Sequence, residues 1–307
     1  MSKVIEQLLF TELEVSADAD VASPVFILGA PRTGSTTIYK AMATYFKLPF
    51  IANITNDHFS ETPIVGMAIQ KSMPAEISWQ ASYGKTKGTF QPSEGSAVLG
   101  NWFGGGHPSQ VVSHEIKVGM QEHFILTLNA IQELFGAPLL TKNPWNCFRV
   151  KYLATALPKA RFIWLQRDLV ETASSDLYAR YVNQVDINDW NSATPANYKE
   201  LQKCSPVTQV VENQFEFNKA LQENLNRYAK GRWINIWFED FLTKRDEVLE
   251  AIASRLNLEP FDQHTSVPFD ASEKKALSID EQQKIANYIK SSEHYKRLNS
   301  MRYNGKE

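Results

Sequence analysis

Two clusters of residues in this chain have the types and spacing to hold anions. The first is Pro31-Arg32-Thr33-Gly34-Ser35-Thr36-Thr37, which follows the apolar run Val25-Phe26-Ile27-Leu28. An apolar strand that runs into a Gly-containing turn and then a helix aims backbone N–H groups and the helix dipole at one point, where an anion can sit. Gly29 and Gly34 let the main chain take positive φ and come close to an oxyanion. Ser35, Thr36 and Thr37 add hydroxyl donors at the start of the helix, and Arg32 adds a fixed positive charge with forked donors. The second cluster repeats the layout: Arg161-Phe162-Ile163-Trp164-Leu165-Gln166 reads as a strand, Arg167 stands at its end, and Ser175 follows eight residues after Arg167. Two anion sites at two strand ends imply a ligand with two separated phosphate-like groups.

A nucleoside triphosphate loop of the form G-x-x-x-x-G-K-[ST] carries Lys directly after its second glycine. Here that place is Ser35 and the cation has moved to Arg32. The loop keeps an anion site but loses the usual arrangement for β and γ phosphates with Mg²⁺. No acidic residue at the end of an apolar strand clearly serves as a metal-holding aspartate; Asp168, directly after Arg167, comes nearest to one. No His, Cys or carboxylate cluster has metal-ligand spacing, so no metal is expected.

Together the two clusters resemble the sulfotransferases that use 3′-phosphoadenosine 5′-phosphosulfate (PAPS) and release 3′-phosphoadenosine 5′-phosphate (PAP). In that family a loop of the form P-[KR]-[ST]-G-[ST]-T holds the 5′-phosphosulfate, and an Arg at a strand end with a Ser eight residues later holds the 3′-phosphate. Residues 31–36 match the first; Arg167 and Ser175 match the second, in the family's order and about 130 residues further on. Ile236-Trp237-Phe238-Glu239-Asp240-Phe241 is similar to the Tyr-Glu-Asp-Leu segment that lies near the adenine, with Trp237-Phe238 in place of an apolar-Tyr pair. Gly88-Thr89-Phe90-Gln91-Pro92-Ser93-Glu94-Gly95, with Trp102, Phe103 and His107, resembles a segment of a bacterial branch associated with carbohydrate or secondary-metabolite modification. Leu140-Thr141-Lys142-Asn143-Pro144 occupies the place of the Lys-Thr-His segment of the cytosolic animal enzymes. The catalytic histidine of those relatives falls at Pro144, so a base is not carried over from them.

The resemblance implies an α/β, P-loop-like three-layer fold with a central parallel sheet flanked by helices. It spans a single domain, 1–307, with a cofactor core over about 24–245 and a C-terminal helical extension, 246–307. It implies transfer of a sulfuryl group from PAPS, without a metal, to a hydroxyl or amine of a small-molecule or carbohydrate acceptor. Arg32, Thr33, Gly34, Ser35, Thr36, Thr37, Arg167 and Ser175 would then bind the cofactor, with Arg32 neutralising charge on the bridging oxygen. Lys142 would stabilise the leaving oxygen or the sulfuryl group; a solvated lysine is the other reading. The acceptor must lose a proton, which calls for a general base within hydrogen-bond reach. Glu94 is the first choice, because glutamate serves in tyrosine- and heparan-sulfating relatives, and His58 is the second. Glu61, His107 and His114 are weaker candidates. Two other functions fit part of the pattern: an ATP- and Mg²⁺-dependent small-molecule kinase, and a catalytically silent nucleotide-binding module.

The elements that must position these residues are read from periodicity. A helix is expected over 38–46, an amphipathic helix over 117–135 ending at Gly136, a strand over 139–141 and a helix over 149–157. A buried strand over 160–166, helices over 170–181 and 210–230, and a strand over 233–237 follow. Residues 49–63 read as a polar loop. Residues 84–109 hold half of the 14 glycines and read as a long irregular loop, a candidate acceptor-binding lid. Trp190 and Tyr198 either line an acceptor pocket or cap the core.

Bulk properties narrow the partners. A net charge of −2 carries no basic excess, which argues against nucleic acid as a partner and leaves attraction for an anion to local cations. The two cysteines, Cys147 and Cys204, provide neither a disulfide framework nor a metal set, as expected in a reducing compartment. No apolar run is long enough to span a bilayer. The acidic N-terminal segment is unlike a signal peptide and reads as a short helix, so a cytoplasmic location is expected.

Overall fold

Every residue of β1 (Val25–Leu28) is apolar and buried. A strand with no face for water belongs in a parallel sheet covered on both sides. The structure, a computed structural model, describes residues 1–18, 20–79, 86–104, 114–183, 186–188, 190, 193–260 and 277–293. In chain order its elements are α1 (Ser2–Glu12), β1, α2 (Ser35–Tyr45), α3 (Asn53–His58), α4 (Pro63–Ser72), α5 (Ser96–Phe103), α6 (Gln121–Phe135), β2 (Leu140–Lys142), a 3₁₀ turn (Pro144–Phe148) and α7 (Val150–Ala156). Then come β3 (Arg161–Gln166), α8 (Leu169–Asn183), α9 (Tyr198–Leu201), α10 (Pro206–Tyr228), β4 (Trp233–Trp237), α11 (Phe238–Thr243), α12 (Arg245–Leu256) and α13 (Ile279–Ser291).

The four strands are parallel and run in the order β2-β1-β3-β4. Ile27 stands opposite Lys142 on one side and Ile163 on the other, so the carboxyl ends of β2, β1 and β3 lie side by side. This is the expected α/β architecture. Alternate residues feed two apolar layers, as the pleat demands. Phe26, Leu28, Phe162 and Trp164 pack with α6, α7 and α10; Val25, Ile27, Ile163 and Leu165 pack with α2 and α12. The connection after β1 leads to β2 on one side, and the connection after β3 leads to β4 on the other. The carboxyl ends of β1 and β3 therefore flank the point where the winding reverses, the usual place for a ligand in such sheets.

Two segments differ from their sequence-based expectation. Residues 49–63 are not all loop: they hold α3 and the start of α4, with Thr55, Ile64 and Val65 buried. Gly66 makes this packing possible, since a Cβ there would lie 2.6 Å from Thr55 Oγ1. Within the glycine-rich stretch, α5 starts after Gly95, at φ +66°, and sends Val98, Leu99, Trp102 and Phe103 into the core. That part is structural helix, not an irregular lid. Among the described residues no helix is long and apolar enough to cross a membrane.

Candidate active site

The loop of residues 29–34 leaves β1 and is pinned from three sides. Cys147 lies beneath it: Gly29 N–H donates to Cys147 Sγ at 3.3 Å, and the thiol lies 3.4 Å from Gly29 O. Burial pushes this thiol up to about 12, so it stays a neutral support. Thr33 Oγ1 donates to Ala30 O at 2.9 Å, closing the turn on itself, and Gln214 of α10 donates to Pro31 O at 3.1 Å. Gly29 has no room for a side chain, because a Cβ would sit 2.8 Å from Leu165 O. Gly34 caps α2 at φ +85°. The helix has no capping side chain and no acidic residue in its first turn, so nothing on its own turn neutralises the positive end of its dipole.

The two anion clusters meet. Arg32 Nε donates to Ser175 Oγ at 3.2 Å, and Arg167 Nη1 donates to Arg32 O at 3.0 Å. Arg167 also pairs with Glu171 at 3.1 Å and lies 5.3 Å over the Phe238 ring. Asp168, the metal candidate, is a helix cap: its Oδ1 accepts from the N–H groups of Val170 and Glu171 at 2.9 and 3.1 Å. Its own N–H donates to Glu239 Oε1 at 3.0 Å. Among the described residues no group of three His, Cys, Asp or Glu side chains is placed to hold a metal ion.

On the β2 side, Lys142 is buried at the strand end and its ammonium forms an ion pair with the Glu94 carboxylate. The same ammonium is 3.4 Å from Thr36 Oγ1, in the first turn of α2. Asn143 Nδ2 holds the Glu94 backbone, donating to Glu94 O at 3.1 Å and to Ser96 Oγ at 3.2 Å. Lys142 is therefore not a solvated lysine. The Tyr39 phenol is buried nearby; burial, with a smaller push from the Glu94 charge, raises it well above the ordinary tyrosine range. Contacts thus join the sequence-predicted residues in two groups, Arg32 with Ser175 and Arg167, and Lys142 with Glu94 and Thr36; the short chain segment from Arg32 to Thr36 runs between the groups.

The other candidate bases stand apart. His58 is exposed at the end of α3, and among the described residues no hydrogen bond or ion pair joins it to Glu94, Lys142 or Thr36. Glu61 pairs with Lys3 at the surface, 3.3 Å away. His114 stacks on Phe148 at 5.7 Å, and burial followed by the Arg149 charge lowers it below the usual histidine range. His107 lies outside the described residues, as do Tyr83, Gly84, Gly105, Gly106 and Pro108. Trp102 donates to His123 Nδ1 at 2.9 Å and belongs to the core with Phe103. Trp190 and Tyr198 are both buried, edge to face at 4.9 Å. Sequence reasoning missed Asn143, Cys147, Phe238 as the wall behind Gly34, and the buried Asp176 next to Ser175. Only Phe238 carried a signal, as the aromatic directly after a strand.

The profile of the sulfotransferase family matches residues 24–263. No functionally curated protein matches the chain in sequence. Among solved structures, the fold is similar to a sulfotransferase of Mycobacterium avium at 13% identity and a TM-score of 0.50, over 91% of this chain and 70% of that one. A sulfotransferase of Alicyclobacillus acidocaldarius aligns at 14% identity and a TM-score of 0.47, covering 91% and 96% of the two chains. The sulfotransferase domain from the curacin biosynthetic pathway aligns at 15% identity and 0.46, covering 92% and 98%. At 13% identity the likeness to the Mycobacterium avium structure speaks to fold alone.

Proposed function

The chain belongs to the sulfotransferase family, and on that premise we propose that it transfers the sulfuryl group of PAPS to a hydroxyl or amine of a small-molecule or carbohydrate acceptor. The observation that carries the donor reading is the contact of Arg32 with Ser175 and of Arg167 with Arg32 at the ends of β1 and β3. It gathers two guanidiniums, a hydroxyl and an uncapped helix start in one crevice. This donor set suits a nucleotide with phosphates at both its 3′ and 5′ ends. When bound, PAPS supplies the sulfuryl group, joined to its 5′-phosphate through a bridging oxygen.

The protein's part is positioning and charge. The backbone amides of residues 34–36, with the hydroxyls of Ser35, Thr36 and Thr37, hold the 5′-phosphate, while Thr33 shapes the loop. Arg167 and Ser175 hold the 3′-phosphate, and Arg32 contributes a further cation. Lys142 neutralises charge that develops on the leaving oxygen; its contact with Thr36 supports this place. Glu94 accepts the acceptor proton, a role supported by its ion pair with Lys142, which keeps base and cation side by side. His58 is the second candidate base. We further propose that the enzyme works in the cytoplasm, a reading supported by its two free thiols, Cys147 and Cys204.

The test is incubation with ³⁵S-labelled PAPS and a panel of alcohols, phenols, sugars and amines, in the presence of a chelator. Labelled product and stoichiometric PAP are expected. Mg²⁺-dependent consumption of ATP, with no sulfuryl transfer to any acceptor, would contradict the reading.

A further inference from the structure

We infer that Asn143 is the positioning residue that holds Glu94 in register with Lys142. The inference rests on the reading of Glu94 as the base in sulfuryl transfer from PAPS, and it adds to that reading the support that keeps the base in place. On the reaction Asn143 acts only through Glu94.

Asn143 follows directly on β2 and is 1% exposed. Both ends of its amide are engaged. Oδ1 accepts from the Trp145 N–H at 3.0 Å and so caps the 3₁₀ turn, while Nδ2 donates to Glu94 O at 3.1 Å and to Ser96 Oγ at 3.2 Å. A backbone N–H can only donate and a carbonyl can only accept, so these partners also fix which end of the amide is which. A serine or an aspartate would cap the turn as well. Neither could also hold the Glu94 carbonyl, because serine is too short and aspartate brings an oxygen where a donor is needed. The grip on residue 94 is what calls for an amide.

The segment that carries Glu94 is held from both flanks and through its own carbonyl. Ser93 N–H donates to Ile51 O at 2.8 Å, and Gly95 N–H donates to Ser93 Oγ at 3.2 Å before α5 begins. Glu94 O lies ahead of that helix, outside its hydrogen-bond ladder, and Asn143 supplies its partner. Consecutive residues at the end of β2 thus take hold of residue 94 at its two ends, Lys142 at the carboxylate and Asn143 at the carbonyl. The Glu94 side chain is 36% exposed, so its own surroundings confine it little and the fixed main chain limits where the carboxylate can swing. Lys142 in turn is 3.4 Å from Thr36 Oγ1, which places the gripped base relative to the anion loop.

The experiment is a double-mutant cycle read in steady-state kinetics: wild type, Asn143→Ser, Glu94→Gln and the double variant, with labelled PAPS and an acceptor that the wild type turns over. Thermal melting and PAP titration of each variant check the fold and the nucleotide site. Asn143→Ser keeps the turn cap and releases Glu94, so kcat should fall by roughly ten- to a hundredfold while KM for PAPS and PAP affinity stay within about twofold. In the Glu94→Gln background the same substitution should change kcat by less than about twofold, because no base is left to position. Asn143→Asp, which keeps the shape and replaces the donor with an acceptor, should lose at least as much and is read in the same way should Asn143→Ser not fold. Turnover in Asn143→Ser within about twofold of wild type, or the same factor lost with and without Glu94, would overturn the inference while leaving the PAPS reading in place. Unchanged turnover in Glu94→Gln would overturn it together with the choice of base. A wild type that transfers no sulfuryl group from PAPS would overturn the inference and the PAPS reading alike.

Discussion

Gly34 and Phe238 fit so closely that no side chain can stand at position 34: a Cβ there would lie 2.3 Å from Cε2 of the Phe238 ring, on a backbone at φ +85°. The aromatic that follows β4 thus backs the loop that follows β1. Gly34→Ala combines left-handed strain with a clash and should cost about 1–3 kcal/mol of stability, with PAP affinity down at least about tenfold. Adding Phe238→Ala should recover part of the stability, because it removes the clash but not the strain. Thermal unfolding and PAP titration check this. A single variant as stable as the wild type would show that the loop moves aside without cost.

Glu94 and Lys142 should separate in kinetics. Glu94→Gln keeps the shape and removes the proton acceptor, so kcat should fall by about 10²–10⁴-fold while PAP affinity stays within about twofold. Lys142→Ala should lower kcat as well, because its charge acts on the leaving oxygen. Steady-state rates against an accepted substrate decide the matter. Unchanged turnover in Glu94→Gln would remove it as the base and bring His58→Asn to the bench.

Cys147 should resist alkylation. Its thiol is pushed up to about 12, chiefly by burial, and it is engaged by Gly29, whereas Cys204 is partly exposed. The thiolate is the reactive form, so at pH 8 a folded Cys147 offers almost none of it. Iodoacetamide followed by peptide mass analysis should find Cys204 labelled first and Cys147 only on unfolding. Rapid labelling of Cys147 in the folded protein would mean that the floor of the loop is open.

The parts legible in the sequence share one property: their signals are local. β1 and β3 read as apolar runs because both faces of the sheet are covered, and α6 ends at Gly136, where φ is +64°. α3 escaped because its six residues, Asn-Ile-Thr-Asn-Asp-His, are loop-like in type and held by distant partners. Asn53 Nδ2 donates to Thr86 O and Gly88 O at 2.9 and 2.8 Å. In α5 the abundance of glycine around it masked a helical apolar spacing at Val98, Leu99, Trp102 and Phe103. Residue types of the site could be read, but their pairing could not. Arg32–Ser175 and Lys142–Glu94 join positions 143 and 48 residues apart, and no local spacing encodes such contacts.

Arg232 links the ends of α7 and α10 at the entry to β4. Its Nη1 donates to Leu157 O and Ala160 O at 3.0 and 3.1 Å, and its Nη2 donates to Ala154 O and Tyr228 O, each at 2.9 Å. Arg232→Met keeps the stem and strips all four bonds from carbonyls near two helix ends. It should destabilise the fold by about 2–4 kcal/mol without changing the ratio of PAP to 5′-AMP affinity. Urea unfolding and nucleotide titration test the two halves of that statement. A stable variant would mean that water replaces the guanidinium.

The central claim is that the crevice at the ends of β1 and β3 binds a nucleotide carrying a 3′-phosphate. Isothermal titration with PAP in a chelator, repeated with 5′-AMP, tests it most directly. Tight metal-free binding of PAP, weakened by at least about tenfold when the 3′-phosphate is absent, is the predicted result. Failure to bind PAP, or equal affinity for both nucleotides, would contradict the account.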